Sequence, residues 1–377
     1  MSQRLLTDSR VAVQVGTFVE FRCKAQIAEA TQTEDGMTDV DHRPWSRYDG
    51  TLCKHRDMFY LFGGTVVQDG RKTNSLYCLS LNTMEWRLID TKGARPPARS
   101  GHCAVIDPDT DRMVVFGGRS QVRVLAARAP GGVLPSAPPP PPASMGSGRV
   151  RVERVQEKRR LNDVWVLDLA TFTWFRQACE KGAPAPRDHA TAVHCQGHMV
   201  IFGGHAPGKR LNDLAVLDLS GFTWSTWVSI VGQPPPRESA ALCVGHGNLL
   251  FLHGGCSNFG MDDLWVYDQK HQSWTEITCT GPAPAVRRGH QMFVHDSDLY
   301  LFGGLDDLGA PAASMFKLPV EYGTNFATAK LEWRELVSER VFNRNRCARP
   351  SAQCTPCERA ATQLLVRHSN SRSGVTG

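Results

Sequence analysis

Few residues of this sequence have the type and spacing needed for chemistry. Cys354 and Cys357 are separated by two residues, which is the spacing of half a zinc site. A complete site needs a second such pair or a histidine at ligand spacing, and His368 alone does not supply one. We therefore expect no bound metal ion and no cofactor.

Three histidines, His102, His189 and His290, lie two or three residues after arginines that recur along the chain. Recurrence of a histidine just after such an arginine favours a structural hydrogen-bonding role over catalysis. The motifs G-x-S-x-G, H-E-x-x-H and the Walker loop are absent from the sequence. We expect no catalytic residues, and the alternative is a metal-dependent enzyme or a small-ligand-binding protein.

The sequence around these residues repeats with a period close to 50. Leu161, Leu211 and Met261 open equivalent apolar segments at intervals of 50 residues. Each unit contains an arginine, an apolar strand, a second strand ending in two glycines, a polar loop, a third apolar strand and a strand with a tryptophan. Such a period indicates a radial array of small sheets. The glycines and tryptophans of the five units are Gly63, Gly64, Gly117, Gly118, Gly203, Gly204, Gly254, Gly255, Gly303, Gly304, Trp86, Trp174, Trp224, Trp274 and Trp333.

This pattern, with its third strand D-[VL]-W-V-[LY]-D, resembles the kelch repeat, and more narrowly the repeat of host-cell-factor-like kelch proteins. The resemblance covers residues 44–336 and implies an all-β kelch β-propeller with five recognisable four-stranded blades. We expect six blades, the last composite or incomplete. Residues 1–43 would supply a closing strand and a polar linker, and the tail, 337–377, would supply a partial blade.

Elementary physical chemistry gives the glycine pairs and tryptophans a structural role. Glycine has no Cβ, so it lets a neighbouring backbone approach closely and accepts unusual φ where a strand ends. The tryptophans are large enough to fill the space between blades. Neither motif is expected to form a cofactor site.

Residues 119–160 interrupt the second repeat. They contain nine Lys or Arg and two Glu, so their net charge is +7, whereas the whole chain has +6. We expect a disordered basic and proline-rich insert, with a short strand or helix over 150–160 as the alternative. Pro138–Pro142 favours polyproline II, which SH3- or WW-type readers bind. Nucleic-acid binding is disfavoured, because no aromatic residues are interleaved with the basic ones.

The loops that follow the glycine pairs vary in sequence and should share one face of the propeller. Variable loops on a rigid scaffold usually carry recognition. We therefore predict a non-catalytic scaffold or adaptor, such as a substrate-recognition subunit, that binds another protein. Scattered cysteines predict reduced thiols and a cytoplasmic or nuclear location, and no apolar run reaches the roughly 20 residues of a membrane span. The predicted partner-binding residues are Arg119, His205, Lys209, Arg210, Asn258, Phe259, Asp306 and Asp307.

Overall fold

The computed structural model of the protein describes residues 11–14, 18–21, 24–26, 44, 46–128, 151–179, 182–321 and 323–337. Regular structure in these residues is almost entirely β-strand, apart from a 3-10 turn at His246–Asn248. This confirms the all-β propeller expectation. No helix in the described part of the chain has the length and apolar character needed to cross a membrane.

Five sheets repeat one arrangement, and we number them blades one to five along the chain. In each blade four strands pair antiparallel in sequence order. Blade one is preceded by β1 (Val11–Gln14), β2 (Phe18–Phe21), β3 (Lys24–Gln26) and β4 (Arg47–Tyr48). Blade one itself contains β5 (Thr51–His55), β6 (Met58–Phe62), β8 (Leu76–Ser80) and β9 (Glu85–Ile89), with β7 (Thr65–Val66) in its central loop.

Blade two carries the long insert between its second and third strands. Two short strands precede blade two, β10 (Lys92–Gly93) and β11 (Arg99–Ser100). Its four blade strands and the two strands of the insert are β12 (Cys103–Asp107), β13 (Arg112–Phe116), β14 (Arg119–Arg128), β15 (Arg151–Arg160), β16 (Val164–Asp168) and β17 (Thr173–Gln177).

Blades three to five follow the same order with shorter central loops. Blade three contains β18 (Thr191–Cys195), β19 (His198–Ala206), β20 (Lys209–Asp218) and β21 (Trp224–Trp227). Blade four contains β22 (Ala241–Val244), β23 (Leu250–Cys256), β24 (Gly260–Asp268) and β25 (Ser273–Glu276). Blade five contains β27 (Gln291–His295), β28 (Asp298–Phe302), β29 (Met315–Pro319) and β31 (Arg334–Val337), with the short strands β26 (Cys279–Thr280) and β30 (Leu331–Glu332) beside it.

The strands are apolar on consecutive residues because each inner blade is covered on both faces. In β13, Met113, Val114, Val115 and Phe116 are all buried. Strict alternation of apolar and polar residues fails for such strands. The buried side chains form four clusters, one at each junction between consecutive blades.

A chain of backbone hydrogen bonds connects the five blades around the axis. The first strands β5, β12, β18, β22 and β27 lie side by side in that order. One residue with positive φ precedes each of these strands. In blades two to five, the N–H of this residue donates a hydrogen bond of 2.7 to 2.8 Å to the carbonyl of the equivalent residue in the preceding blade. These residues are Asp49, Gly101, His189, Ser239 and Gly289. The bonds fix the spacing of the blades.

The segments between blades also pair in a repeated way. The chain leaving the outer strand of one blade runs parallel to the outer strand of the next, as β10 does with β17, where Gly93 is opposite Trp174. β3 pairs with β9 in the same manner, with Ala25 opposite Trp86. This is the position of a segment that leaves a blade preceding blade one. The composite sixth blade stays a prediction, because residues 338–377 lie outside the described part of the chain.

The insert differs at both of its ends from the disordered loop that we expected, and its second strand agrees with the alternative of a short strand over 150–160. β14 and β15 form an antiparallel ribbon of ten residue pairs, from Arg119 opposite Arg160 to Arg128 opposite Arg151. The ribbon continues the hairpin of the blade, and the valine-rich sequence of both strands favours β-structure. The proline-rich centre hides this signal in the composition. Residues 129–150, which include Pro138–Pro142, lie outside the described residues.

Candidate functional site

The repeat arginines hold the glycine pairs from which the loops leave. Each arginine is at most 3% exposed, and its Nη1 donates to the carbonyl of the first glycine of its blade over 2.9 to 3.0 Å. In blades two to four both Nη atoms also bind an aspartate at the start of the third strand, over 2.6 to 2.9 Å. The pairs are Arg99–Asp163, Arg187–Asp213 and Arg237–Asp263. Because this two-pronged geometry is directional, it fixes where each loop begins.

Both positions of a glycine pair require glycine, because neighbouring residues occupy the space that a Cβ would fill. Gly203 and Gly204 have φ of +62° and +93°. A Cβ on Gly203 would lie 2.7 Å from the carbonyl oxygen of Arg237, and one on Gly204 would lie 2.8 Å from the Cβ of Ala190. A side chain at either position would therefore displace the neighbouring backbone.

The tryptophans pack between consecutive blades. Trp224 of blade three lies against Phe116 of blade two, with ring centroids 5.0 Å apart. Trp174 packs on Phe62 at 4.9 Å in the same way. All five tryptophans of the repeats are at most 9% exposed. These contacts keep the blades, and therefore their loops, in fixed relative positions.

The loops of blades two and three meet at a buried carboxylate. Asp188, which follows the repeat arginine of blade three, is 1% exposed. Arg119 and Arg160, at the root of the insert, place their Nε atoms 2.6 and 2.8 Å from its two oxygens. Nη2 of Arg160 also lies 3.2 Å from Nδ1 of His205 in the next loop. The basic insert is thus tied to the neighbouring blade.

The same relation continues from blade three to blade four. Arg210 donates from Nε and Nη2 to Oε1 of Glu238 over 3.2 and 3.1 Å, and Nδ1 of His205 lies 3.3 Å from Oε2 of that residue. Nη1 of Arg210 reaches Oδ1 of Asn258 at 3.5 Å. Asp307 of blade five packs against Gly260, where a Cβ would collide with its carboxylate. A connected polar network therefore runs across blades two to four on the loop face, and the loop of blade five packs against it through Asp307.

The electrostatics of this network favour the charged forms of its members. Burial by itself would raise the pKa of Asp188, but the adjacent His189 and the hydrogen bond from Arg160 outweigh it and lower that pKa to about 2. His189 lies between Asp188 and Asp49 of blade one, and these carboxylates outweigh the effect of burial and raise its pKa to about 9. At neutral pH these residues form ion pairs that hold the loops.

The two most exposed large apolar side chains in the described part of the chain lie on this face. Phe259 at the tip of the blade-four loop is 83% exposed, and Leu308 in the blade-five loop is 93% exposed. The two loops touch through Gly260 and Asp307. Phe259 therefore does not fold back over its own blade. We define these two residues as the anchor pair.

The predicted partner-binding residues have different surroundings. Arg119, His205, Arg210 and Asn258 belong to the connected network. Phe259 belongs to the anchor pair, and Asp307 packs against Gly260. Lys209, at the start of β20, is exposed, and Asp306 accepts a hydrogen bond from the N–H of Ala310 within its own loop over 2.7 Å.

Three residues of this face were not predicted from the sequence: Asp188, Glu238 and Leu308. Asp188 and Glu238 occupy the same position, directly after a repeat arginine. An acidic residue at that position of two successive repeats was the available signal. Leu308 stands in a polar loop without a repeated equivalent, so no pattern marked it.

The histidines singled out as chemical candidates make structural contacts. Nε2 of His102 lies 2.9 Å from Oγ1 of Thr51, and Nε2 of His290 lies 3.0 Å from Nδ1 of His253. Burial lowers the pKa of His102 to about 3, so this ring is neutral at physiological pH. Within the described residues, no group of three or more His, Cys, Asp or Glu could hold a metal ion. Cys354 and Cys357 lie outside those residues.

Comparison with known proteins finds relatives that share these repeats. The model of a family described as the KLHDC2/KLHL20/DRC7 Kelch-repeats domain matches residues 50–126 and 153–304. Dynein regulatory complex subunit 7 of Chlamydomonas reinhardtii is 48% identical over 340 residues, which are 90% of this chain and 26% of that protein. Kelch domain-containing protein 3 of Bos taurus is 29% identical over 164 residues, covering 43% of this chain and 33% of that protein. Host cell factor 1 of Mus musculus is 27% identical over 39% of this chain and 6% of its own length. The chain thus spans a third or less of the length of these relatives.

Proposed function

This chain belongs to the kelch-repeat family, and we propose that it is a non-catalytic propeller module that binds another protein through its loop face. We further propose that the binding takes place within an assembly of the dynein regulatory complex type. The 48% identity to a subunit of that name, over 90% of this chain, supports the assembly. An adaptor working there would act in the cytoplasm, in agreement with the eight free cysteines of the described residues.

The observation that carries the binding face is the exposure of the anchor pair on loops that are otherwise held in place. A large apolar side chain at a loop tip gains free energy when a partner covers it, and aromatic residues are favoured as anchors of protein interfaces. The ion pairs at Asp188 and Glu238 order the neighbouring loops beforehand. Binding of a partner therefore costs little free energy for ordering the loops that it contacts.

The chemistry of the face supports binding rather than catalysis. Asp188 forms an ion pair with Arg160, and Glu238 forms one with Arg210. His189, the most strongly shifted base of the network, is held by two carboxylates. A general base needs a pKa near the working pH and a free lone pair, and protonated His189 has neither. Pro138–Pro142 as a ligand for an SH3- or WW-type reader stays a prediction.

The test is binding to purified dynein regulatory complex of Chlamydomonas reinhardtii that lacks its subunit 7. Phe259→Ala and Leu308→Ala are each expected to weaken binding by about 2 kcal/mol, roughly 30-fold, without lowering the melting temperature. Ile230→Ala is the matched control, because this residue is 72% exposed but lies in the crossing between blades three and four. The control should bind as the wild type does.

Two outcomes would contradict the proposal. If the double variant of the anchor pair and Lys209→Glu both bind normally, the contact lies on another face of the propeller. If the wild-type chain does not bind the complex, the assembly is wrong while the loop face remains open to other partners.

A further inference from the structure

The ribbon formed by β14 and β15 is an enlarged version of a hairpin that every regular blade possesses. In blade three the corresponding hairpin ends two residue pairs beyond Gly204, at Ala206 opposite Lys209. In blade two it continues for ten pairs beyond Gly118. Strands of ten residues span about 33 Å, roughly the diameter of a small domain. The ribbon thus offers a large surface next to the loop face.

The ribbon also carries the charge imbalance of the protein. Its twenty residues contain eight Lys or Arg and two Glu, a net charge of +6, which equals the net charge of the whole chain. The remaining residues therefore sum to zero. Like charges held within a screening length of about 10 Å repel one another, and an anionic ligand relieves that repulsion.

The structure fixes the root of the ribbon to the propeller. Arg119 and Arg160 both bind the buried carboxylate of Asp188. At the same root, β14 pairs with β11, with Arg99 opposite Ser120. Arg119 and Arg160 are thus already paired with a carboxylate of the protein itself. The cationic residues beyond the root are Arg123, Arg128, Arg151, Arg154, Lys158 and Arg159.

The strand arrangement indicates a protein ligand. In the described structure β15 is an edge strand along its whole length, whereas β14 is partly covered by β11 at Arg119 and Ser120. An extended peptide can add to such an edge through main-chain hydrogen bonds. Residues 119–160 contain no aromatic side chain on which a nucleic-acid base could stack. Valines recur along both strands, as at Val124 opposite Val155, and favour pairing with a further strand.

We propose that the ribbon binds an acidic, extended segment of a partner protein, which adds to β15 as a further strand. Main-chain hydrogen bonds would supply the alignment, and the six cations beyond the root would select acidic side chains. This contact is separate from the anchor pair and does not depend on the proposed assembly.

The experiment uses the full chain and a fluorescent peptide of about ten alternating glutamates and threonines, the length of β15. Binding is followed by fluorescence anisotropy at about 50 and about 200 mM salt, between which the screening length shortens. A variant with Arg123→Gln, Arg128→Gln, Arg151→Gln and Arg154→Gln keeps the root and lowers the ribbon charge to +2. It is expected to bind at least about tenfold more weakly, and higher salt should weaken binding by the wild type more than by the variant.

A matched control removes four exposed cations elsewhere, with Lys54→Gln, Lys92→Gln, Lys270→Gln and Arg334→Gln. This control should bind the peptide as the wild type does. Equal weakening in both variants would show attraction by net charge alone and overturn the proposal. So would wild-type binding by the ribbon variant, or tighter binding of a DNA duplex of the same charge. A peptide methylated on alternate backbone nitrogens should lose binding, and its retention would exclude strand addition.

Discussion

His189 is the residue whose protonation should affect the stability of the propeller most clearly. Its Nε2 lies 3.1 Å from Oδ2 of Asp49, and its Nδ1 lies 3.5 Å from Oδ2 of Asp188. Asp49 precedes blade one and His189 precedes blade three, so the imidazolium joins residues 140 positions apart. Replacing it by glutamine keeps a polar side chain but removes the cation.

The magnitude follows from the pKa. The folded protein raises the pKa of His189 from 6.5 to about 9. At roughly 1.4 kcal/mol for each pKa unit, this difference corresponds to about 3 kcal/mol of stability. Because the folded-state pKa lies above the unfolded one, the contribution is fully present below pH 6.5 and is lost as the pH rises through about 9.

The assay is urea unfolding of the wild type and of His189→Gln at about pH 6 and about pH 10. We expect the variant to be less stable by about 3 kcal/mol at the lower pH and by much less at the higher pH. His271→Gln is the control, because this histidine is 65% exposed and pairs with Asp268 within its own turn. A deficit of His189→Gln that is equal at both pH values would refute the reasoning, since the deficit would then come from packing and not from charge.

Three further changes test which contacts stabilise the propeller. Trp224→Ala should lower the free energy of unfolding by about 3–5 kcal/mol, because it leaves a cavity between two blades, and an unchanged melting curve would refute its assignment. Asp263→Ala should cost about 3 kcal/mol in urea unfolding, because it leaves the buried guanidinium of Arg237 with one partner fewer, and Asp262→Ala is the neighbouring control. Replacing 121–158 by Pro-Gly, the turn of blade three, should change stability by less than about 1 kcal/mol, because loop length acts only logarithmically. Unfolding of this shortened chain would show that the insert packs on the propeller.

The repeating unit and its fold could be predicted from the amino-acid sequence. Short strands buried on both faces need apolar residues at consecutive positions, and their ends need glycine where φ is positive, as at Gly203 and Gly204. Both requirements are local, so they are visible in five copies along the chain. The loops that follow the glycine pairs could be assigned to one face for the same reason.

Which polar residues form hydrogen bonds with one another could be read only from the packing of the blades. Asp188 accepts from Arg160 of the preceding blade, and Glu238 from Arg210, although each pair is separated by 28 residues. Asp49 meets His189 across 140 residues. Such partners depend on how the blades pack around the axis, which no short sequence window contains. The ribbon was hidden for a related reason: its two strands stabilise each other, while the proline-rich sequence between them dominates the local composition.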